Sequence, residues 1–433
     1  MNPESRRTFL RTAAAGVLAQ SAFPVLGAND RINLAVVGIG GRGRDHINEF
    51  ARQAQCRIVA VCDIDQAGRE RGVAQVEKLL GYKPKPYTDM RQLFEDKDID
   101  AVTFATPNHW HALGTIWACQ AGKDVYVEKP PSHNIHEGRK MIEAARKYKR
   151  MVQVGSQSRS IAHIRRAMEV LGQGEIGKLY EAKGLCFNPR NSIGHTPDEP
   201  VPPGIDWNLF RGPAPMCPFS RNRFHYNWHW FWDTGNGDIG NQGVHEMDKA
   251  RWGLNCGLPK HVSATGGKFV FKDDQETPNT QLAALDYGDS QITFDVRGLI
   301  TPWEGDVRRG NQCVGNVFFG SEGYLTLDDD GFRVYKGRKH EQVMEEKAAP
   351  GSENAAHMAN FLAACRSRNH EDLHADIEVG VTSVALVHFA NISYRVGRRL
   401  TMDSSGWGIA NDSEAARLLT RHYRAPFVVP EKV

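Results

Sequence analysis

Six consecutive residues, Gly38-Ile39-Gly40-Gly41-Arg42-Gly43, carry the most legible chemistry in this chain. They follow a short run, Ile32 to Val37, that is apolar except for Asn33, and they precede a helical pattern. A G-x-G-x-x-G turn in that position holds a pyrophosphate. Its first glycine permits the tight turn and its second lets the backbone approach the phosphates, while the third packs helix on strand, so that the helix N-terminus aims free N–H groups at the ligand. Asp63, 20 residues past Gly43, ends a second apolar run, RIVAVCD, where a carboxylate can accept both hydroxyls of an adenosine ribose. A 2′-phosphate would meet a like charge there, which favours NAD over NADP; Arg69 and Arg71 could instead read such a phosphate. Asp65 suits the cap of the following helix better than Asp63 does.

A second chemical stretch is SRNRFHYNWHWFWDTG, which holds Trp228, Trp230 and Trp232 within five residues. Indole faces stack on the C–H faces of sugars, and His225, His229, Arg221 and Arg223 could hold hydroxyls or an acidic substituent. Trp228, His229 and Trp232 are therefore candidate substrate contacts. Packing of alternate residues on one face of a strand would explain the same spacing. His225, His229 and His245 could converge on a metal, but there is no H-E-x-x-H, since Lys140 stands where the second histidine after His136-Glu137 would be, and no metal is expected.

The elements that must position these groups follow a strand-helix rhythm. Strands are expected near 99–105, 124–128 and 151–155, separated by helices near 109–121 and 134–149, the pattern of a doubly wound parallel sheet. Thr106-Pro107-Asn108, Glu128-Lys129-Pro130 and Gly155-Ser156-Gln157 all follow strands, and ligands bind at that edge of an open α/β sheet. Beyond residue 175 the runs KLYEAKGLCF, KHVSATGGKFVF, TQLAALDYG, SQITFDVRG, GNVFFGSEGYLTL and FRVYKG read as short strands, and helical pattern returns at 353–367 and 374–395.

GIGGRG, TPNHWHA, AGKDVYVEKP and GNQGVHEMD together resemble the glucose-fructose oxidoreductase / inositol dehydrogenase (Gfo/Idh/MocA) family across most of residues 31–400. The resemblance implies a Rossmann domain followed by a C-terminal α/β domain with a large, open, mostly antiparallel sheet, whose outer face makes homo-oligomers. It places Thr106, Pro107, Asn108, His111, Glu128, Lys129 and Gln157 around bound NAD. It also implies that Lys129 lies between nicotinamide ribose and substrate, where an ammonium stabilises the negative charge that develops on the reacting oxygen. His245 would take the hydroxyl proton, partnered in the family by an acid four residues earlier. Here that position is Asn241, whose amide oxygen can fix an imidazole tautomer but cannot stabilise imidazolium as a carboxylate would. Asp238 or Asp248 could compensate, with Asp248 better suited to packing; Asp238 is also a candidate substrate contact. Gly240 and Gly243 suggest backbone pressed against a ligand or against the nucleotide domain.

The chain begins MNPESRRTFLRTAAAGVLAQ, and Arg6, Arg7 and Phe9 followed by an apolar run read as a twin-arginine export signal over residues 1–28. Gln20, Ser21 and Pro24 interrupt that run, leaving it short of the roughly 18 apolar residues of a membrane span. Export to the periplasm through the twin-arginine machinery is the expectation, with a nucleotide domain over 29–156 and a substrate-binding and oligomerisation domain over 157–433. A formal charge of +3 does not advertise nucleic acid. The eight cysteines form no C-x-x-C pair, so neither a zinc ribbon nor a redox dithiol is expected. The leading functional reading is an NAD-dependent oxidoreductase acting on a secondary hydroxyl of a sugar, cyclitol or glycoside. Alternatives are a redox-neutral glycosidase or lyase working through a keto-sugar, and a non-catalytic sugar or nucleotide sensor, against which Lys129 weighs.

Overall fold

The computed structural model describes residues 31–349 and 353–433; the proposed export signal lies outside the described residues. From Ile32 onward the chain alternates β1 (Ile32–Val37), α1 (Gly41–Ala51), β2 (Cys56–Cys62), α2 (Gln66–Leu80), β3 (Lys85–Tyr87), α3 (Met90–Glu95), β4 (Ala101–Phe104), α4 (Asn108–Gln120), β5 (Asp124–Val127), α5 (Ile135–Lys147) and β6 (Val152–Val154). The six strands form one parallel sheet in the order β3-β2-β1-β4-β5-β6. Strand order reverses between β1 and β4, which opens a crevice at their C-terminal ends.

Burial on both faces explains the near-continuous apolar strands. Leu34 and Val36 of β1 face Ile47 and Phe50 of α1, while Ala35 and Val37 face the α4 and α5 side with Leu113 and Met141. The buried positions of α1, Gly43, His46, Ile47 and Phe50, recur at three- and four-residue intervals and form one stripe. At the start of α5, Asn134 Oδ1 accepts from the Glu137 backbone N–H at 3.0 Å, and Glu137 Oε2 accepts from the His133 N–H at 2.9 Å, a reciprocal cap that fixes where the chain leaves β5.

After α6 (Ala162–Gly172) the chain enters a second sheet with β7 (Leu179–Phe187), then makes a long excursion containing α7 (Trp207–Arg211), α8 (Gly237–Asn241) and α9 (Gly243–Gly253). The sheet is completed by β8 (His261–Gly267), β9 (Thr280–Asp286), β10 (Gln291–Arg297), β11 (Cys313–Gly320), β12 (Gly323–Asp328), β13 (Gly331–Lys336) and β14 (Glu341–Lys347). After α10 (Glu353–Ser367) and α11 (Ile377–Val396), β15 (Leu400–Thr401) joins its edge, and α12 (Ser413–Arg417) precedes the C-terminal tail. Its nine strands run β14-β13-β12-β11-β7-β10-β9-β8-β15, antiparallel except for the β7–β10 pair. Helices α9 and α11 cover one face, where Val244, Met247, Val384 and Phe389 pack with Phe294 and Phe318 of the sheet. Apolar α11 is long enough to cross a membrane, yet most of it is buried as a core helix. Two later segments return to the first sheet: Phe361 and Leu362 of α10 pack beside Leu34 and Phe50, and Phe427 and Val429 of the tail pack beside Trp110. None of the eight cysteines, all among the described residues, forms a disulfide.

Candidate active site

The glycine turn is shaped by what surrounds it. Gly38 adopts φ +85°, and a Cβ there would stand 2.8 Å from the Ala105 backbone; a Cβ on Gly43 would fall 1.8 Å from Gly38 O. Both positions exclude any larger residue. Gly40 and Gly41 face open space, and no side chain caps α1, so its first N–H groups remain available to a ligand. The Ile39 N–H donates to Asp63 Oδ2 at 2.6 Å, and the Asp65 N–H donates to Asp63 Oδ1 at 2.9 Å. Burial nevertheless pushes the Asp63 carboxyl above its ordinary value. Asp65, and not Asp63, caps α2 through the Ala67 N–H. On the β4 side, Thr106 Oγ1 is buried without a partner and lines the same crevice. Open space above two glycines, unbonded helix N–H groups, a carboxylate at the end of β2 and an orphaned hydroxyl fit a dinucleotide.

These groups line one cleft of about 720 Å³ that runs from Asp63 to Lys129 and is walled on its far side by Phe210, Phe224, Tyr226 and His229. Its wall is a strap from the long excursion. The Gln66 N–H donates to Gly204 O at 2.9 Å and the Asp206 N–H to Ile64 O at 3.1 Å, so residues 204–206 pair with the chain just after β2. Asp206 then caps α7, and Trp207, Phe210, Phe219 and Phe224 form an aromatic cluster behind the cleft.

Beneath the glycine turn lies a charged knot. Glu128 Oε1 accepts from Arg42 Nε at 2.7 Å and Gln157 Nε2 at 3.1 Å, and sits 3.0 Å from His46 Nε2. Burial alone would raise the Glu128 carboxyl; Arg42 and His46 outweigh it and hold it well below the usual carboxylate range. Glu128 and Gln157, placed by sequence around the cofactor, are thus bonded first to protein, and Gln157 lies behind the cleft wall rather than in it. Asn108 binds Asn236 at 2.9 Å, and the His111 ring is pinned between the carbonyls of Thr106 and Pro130 at 2.8 and 2.7 Å, tying together the loops after β4 and β5. Pro107 starts α4 and lines the cleft.

Lys129 leaves the end of β5 and its Nζ donates to the backbone carbonyl of Asn241 at 2.6 Å. Burial pushes its amine below the ordinary value, against the pull of Glu128. Asn241 does not partner His245. A break at Gln242 separates α8 from α9, so the four-residue stripe expected of one helix is interrupted, and the Asn241 amide donates instead to the Tyr226 hydroxyl at 3.1 Å. Asp238 pairs with Arg190 at 2.9 Å, and Asp248 is held by Arg159 at 2.8 Å and by Ser383, so neither compensates at His245. Burial, reinforced by Lys129 and Lys249, holds the imidazole of His245 well below its ordinary value, and the residue stands outside the cleft lining.

The aromatic stretch is not a strand. Residues His225–Trp230 form a 3-10 helix, whose three-residue turn sends Trp228 and Trp230 in different directions, and Trp232 lies beyond its end. Trp230 is buried; Trp228 lines the cleft with its ring stacked on His229 at 3.5 Å; Trp232 lies under Arg395, away from the cleft. The His229 Nδ1–H donates to the Tyr226 carbonyl, 2.5 Å away, and burial holds the ring near 3. Asp238 is likewise absent from the lining, being committed to Arg190. Gly240 and Gly243 answer to packing, since a Cβ on Gly243 would meet the Phe294 ring at 2.5 Å. Sequence reasoning passed over Arg190 and, although it sits inside the quoted stretch, Tyr226. Among the described residues, no group of three His, Cys, Asp or Glu side chains could hold a metal ion.

Fold and cleft define a dinucleotide-binding enzyme class, a Rossmann domain followed by a C-terminal α/β domain, with the cleft at the C-terminal ends of the first sheet's strands. Residues 32–156 match the oxidoreductase family with an NAD-binding Rossmann fold, and residues 190–264 and 324–429 match the C-terminal alpha/beta domain of the same family. The chain belongs to this Gfo/Idh/MocA oxidoreductase family, and its cofactor is NAD. It is 34% identical over 159 residues to an inositol 2-dehydrogenase of Salmonella typhimurium, covering 36% of this chain and 46% of the relative. It is 32% identical over 120 residues to a glycosyl hydrolase family 109 protein of Shewanella sp., covering 27% of this chain and 26% of the relative. The chain thus spans about half the length, or less, of these curated relatives. Among solved structures, the WlbA dehydrogenase from Bordetella pertussis in complex with NADH and UDP-GlcNAcA shares the fold with TM-score 0.65 and 19% identity, over 86% of this chain and 99% of that one. The aldose-aldose oxidoreductase from Caulobacter crescentus shares it with TM-score 0.65 and 17% identity, over 86% and 100%.

Proposed function

We propose that this protein oxidises a secondary hydroxyl of a sugar, cyclitol or glycoside, with NAD held captive during turnover. The observation that carries this is the position of Lys129. Its ammonium stands where the glycine-lined half of the cleft meets the half walled by Tyr226, Trp228 and His229. NAD, when bound, supplies a hydride acceptor. The protein's part is to orient the hydroxyl, stabilise charge on its oxygen through Lys129 and keep water from the reacting carbon. Relatives named for inositol and for glycosyl hydrolysis support a polyhydroxylated substrate.

The strap at residues 204–206 favours the captive cofactor, because it ties the excursion that walls the cleft to residues 64–66. Captivity in turn favours a second reading, redox-neutral glycoside cleavage in which the hydride returns to the product. Export by the twin-arginine route fits as well, since the signal at Arg6-Arg7-x-Phe9 would carry a folded, loaded protein to the periplasm. We assign self-association to the uncovered face of the second sheet, where Tyr180 and Leu282 are exposed; sedimentation of the Leu282→Lys variant as a monomer would support this.

Incubating the purified protein with myo-inositol, glucose, N-acetylglucosamine and their p-nitrophenyl glycosides tests the function. NADH accumulation supports oxidation, nitrophenol release without it supports the redox-neutral reading, and neither with any of them counts against both.

A further inference from the structure

We propose that Asn236 is a positioning residue for Lys129, tying the loop that carries the lysine to the helix whose carbonyl receives its ammonium. The inference rests on the oxidoreductase reading and names a residue through which the reacting lysine is held in place. Asn236 is 5% exposed and immediately precedes α8. Its Nδ2 donates to the His133 carbonyl at 3.1 Å, in the same loop after β5 that holds Lys129. Its Oδ1 accepts from Asn108 Nδ2 at 2.9 Å, at the start of α4, and its backbone carbonyl accepts from Asn391 Nδ2 of α11 at 3.0 Å. A backbone carbonyl can only accept, so the contact with His133 fixes which way the Asn236 amide points and, through it, which way the Asn108 amide points.

The helix that follows depends on such ties. It runs only from Gly237 to Asn241, too short for its own hydrogen bonds to hold it in place, and no side chain caps it. Its first turn lies on Asn236: a Cβ at Gly240 would stand 2.5 Å from the Asn236 Cβ, so the glycine is what lets the two pack. At its far end the Asn241 carbonyl accepts from Lys129 Nζ at 2.6 Å. Lys129 and His133 share one loop, and Asn236 and Asn241 bracket one short helix, so the His133–Asn236 and Lys129–Asn241 bonds are two rungs joining the same two segments. Without the first rung the second bears the spacing, and a shift of about an ångström at a reacting group costs on the order of a hundredfold in rate.

Both neighbours of the side chain are met by one amide, which offers a donor and an acceptor side by side. Leucine at 236 keeps nearly the same shape and removes both bonds. It also leaves in place the charges that act on Lys129, which are Glu128, Arg42, Glu246 and Asp238. Asn391→Ala is milder, freeing the Asn236 carbonyl from α11 while its amide stays bonded.

The test labels the lysines of purified full-length protein, as isolated, with acetic anhydride across a pH series and reads each site by peptide mass spectrometry. Lys129 is bonded, and burial holds its amine below the ordinary value, so it should label slowly in the unmodified protein. Lys123, 3% exposed and bonded to the Asp96 and Ile99 carbonyls at 2.7 Å, is the internal reference for general loosening. In Asn236→Leu we expect Lys129 to label at least about tenfold faster, with its midpoint moved up toward the ordinary lysine value, while Lys123 keeps its rate. On the most active of myo-inositol, glucose, N-acetylglucosamine and their p-nitrophenyl glycosides, kcat should fall at least about tenfold with KM within about threefold. Asn391→Ala should move Lys129 in the same direction by less, and it decides the matter if Asn236→Leu does not fold. Lys129 labelling that is unchanged, or that rises only in step with Lys123, overturns the proposal, as does an undiminished kcat; if Lys129→Met is inactive in the same assay, the oxidoreductase reading survives. A fully active Lys129→Met removes that reading and, with it, the reaction that Asn236 serves.

Discussion

The Lys129 ammonium is bonded to the backbone carbonyl of Asn241 at 2.6 Å, joining the end of the Rossmann strand β5 to the helix α8 of the second domain. This contact ties the end of the first sheet to the excursion that walls the cleft. It takes one N–H of the ammonium and leaves the other two for a ligand in the cleft.

Replacing that lysine should separate binding from chemistry. Lys129→Met is expected to abolish turnover while bound NAD remains near one per chain, because the pyrophosphate is held by the glycine turn and the α1 N-terminus. Kinetics and extracted dinucleotide on the same sample check this; full activity would remove Lys129 from the mechanism.

Asp63 predicts discrimination between dinucleotides. Its half-buried carboxylate lines the cleft, so NAD should bind at least roughly tenfold tighter than NADP, on the order of 1.4 kcal/mol. Asp63→Ser should narrow the gap. Arg69 is already donating to the Asp63 carbonyl at 2.7 Å, whereas Arg71 lines the cleft. Preference for NADP in the unmodified protein would assign the phosphate to Arg71.

The strap predicts slow release. Gly204 holds φ +87°, which a β-branched residue adopts poorly, so Gly204→Val should loosen the pairing with Gln66 and speed NAD dissociation by at least about tenfold. Stopped dilution with fluorescence of bound NADH reads the rate. An unchanged rate would show that the strap does not gate the cleft.

Buried histidines predict acid lability. Burial holds His109 and His388 near 3 and His357 near 4. Unfolded histidine takes its proton near 6.5, so as pH falls below that value the unfolded chain gains protons that the folded chain refuses. Stability is intact above 6.5 and declines as pH falls toward the folded values, by up to about 1.4 kcal/mol per unit for each group. Denaturant midpoints at pH 7.5 and pH 5.5 should differ less in His388→Gln than in the unmodified protein; equal differences would contradict this.

What the sequence made legible is what local chemistry dictates. Gly38, Gly40 and Gly43 with Asp63 declare a nucleotide turn because strand, turn and helix are contiguous, and the parallel sheet follows from the repeating rhythm. The resemblance to the family puts a partner for His245 at Asn241, and the structure does not form that pair, because the helix breaks at Gln242 and the Asn241 amide turns to Tyr226. The Glu128 knot joins residues 86 positions apart, and Tyr226 takes one partner from residue 190 and another from residue 241. Such convergence is set by how the excursion before β8 folds over the cleft, and no spacing rule encodes it. Trp232 lies beyond the 3-10 helix, under Arg395 and outside the cleft lining, where alternate spacing along a strand would not place it.

The most direct measurement is to gel-filter the folded protein, quantify dinucleotide in the denatured extract and assay the remainder with myo-inositol and the hexose and glycoside panel without added NAD. A captive-cofactor oxidoreductase predicts about one NAD per chain, and either reduction of that NAD by one of the compounds or repeated turnover with hydride returned in the same site. A protein that emerges empty and acts only when millimolar NAD is supplied would contradict it.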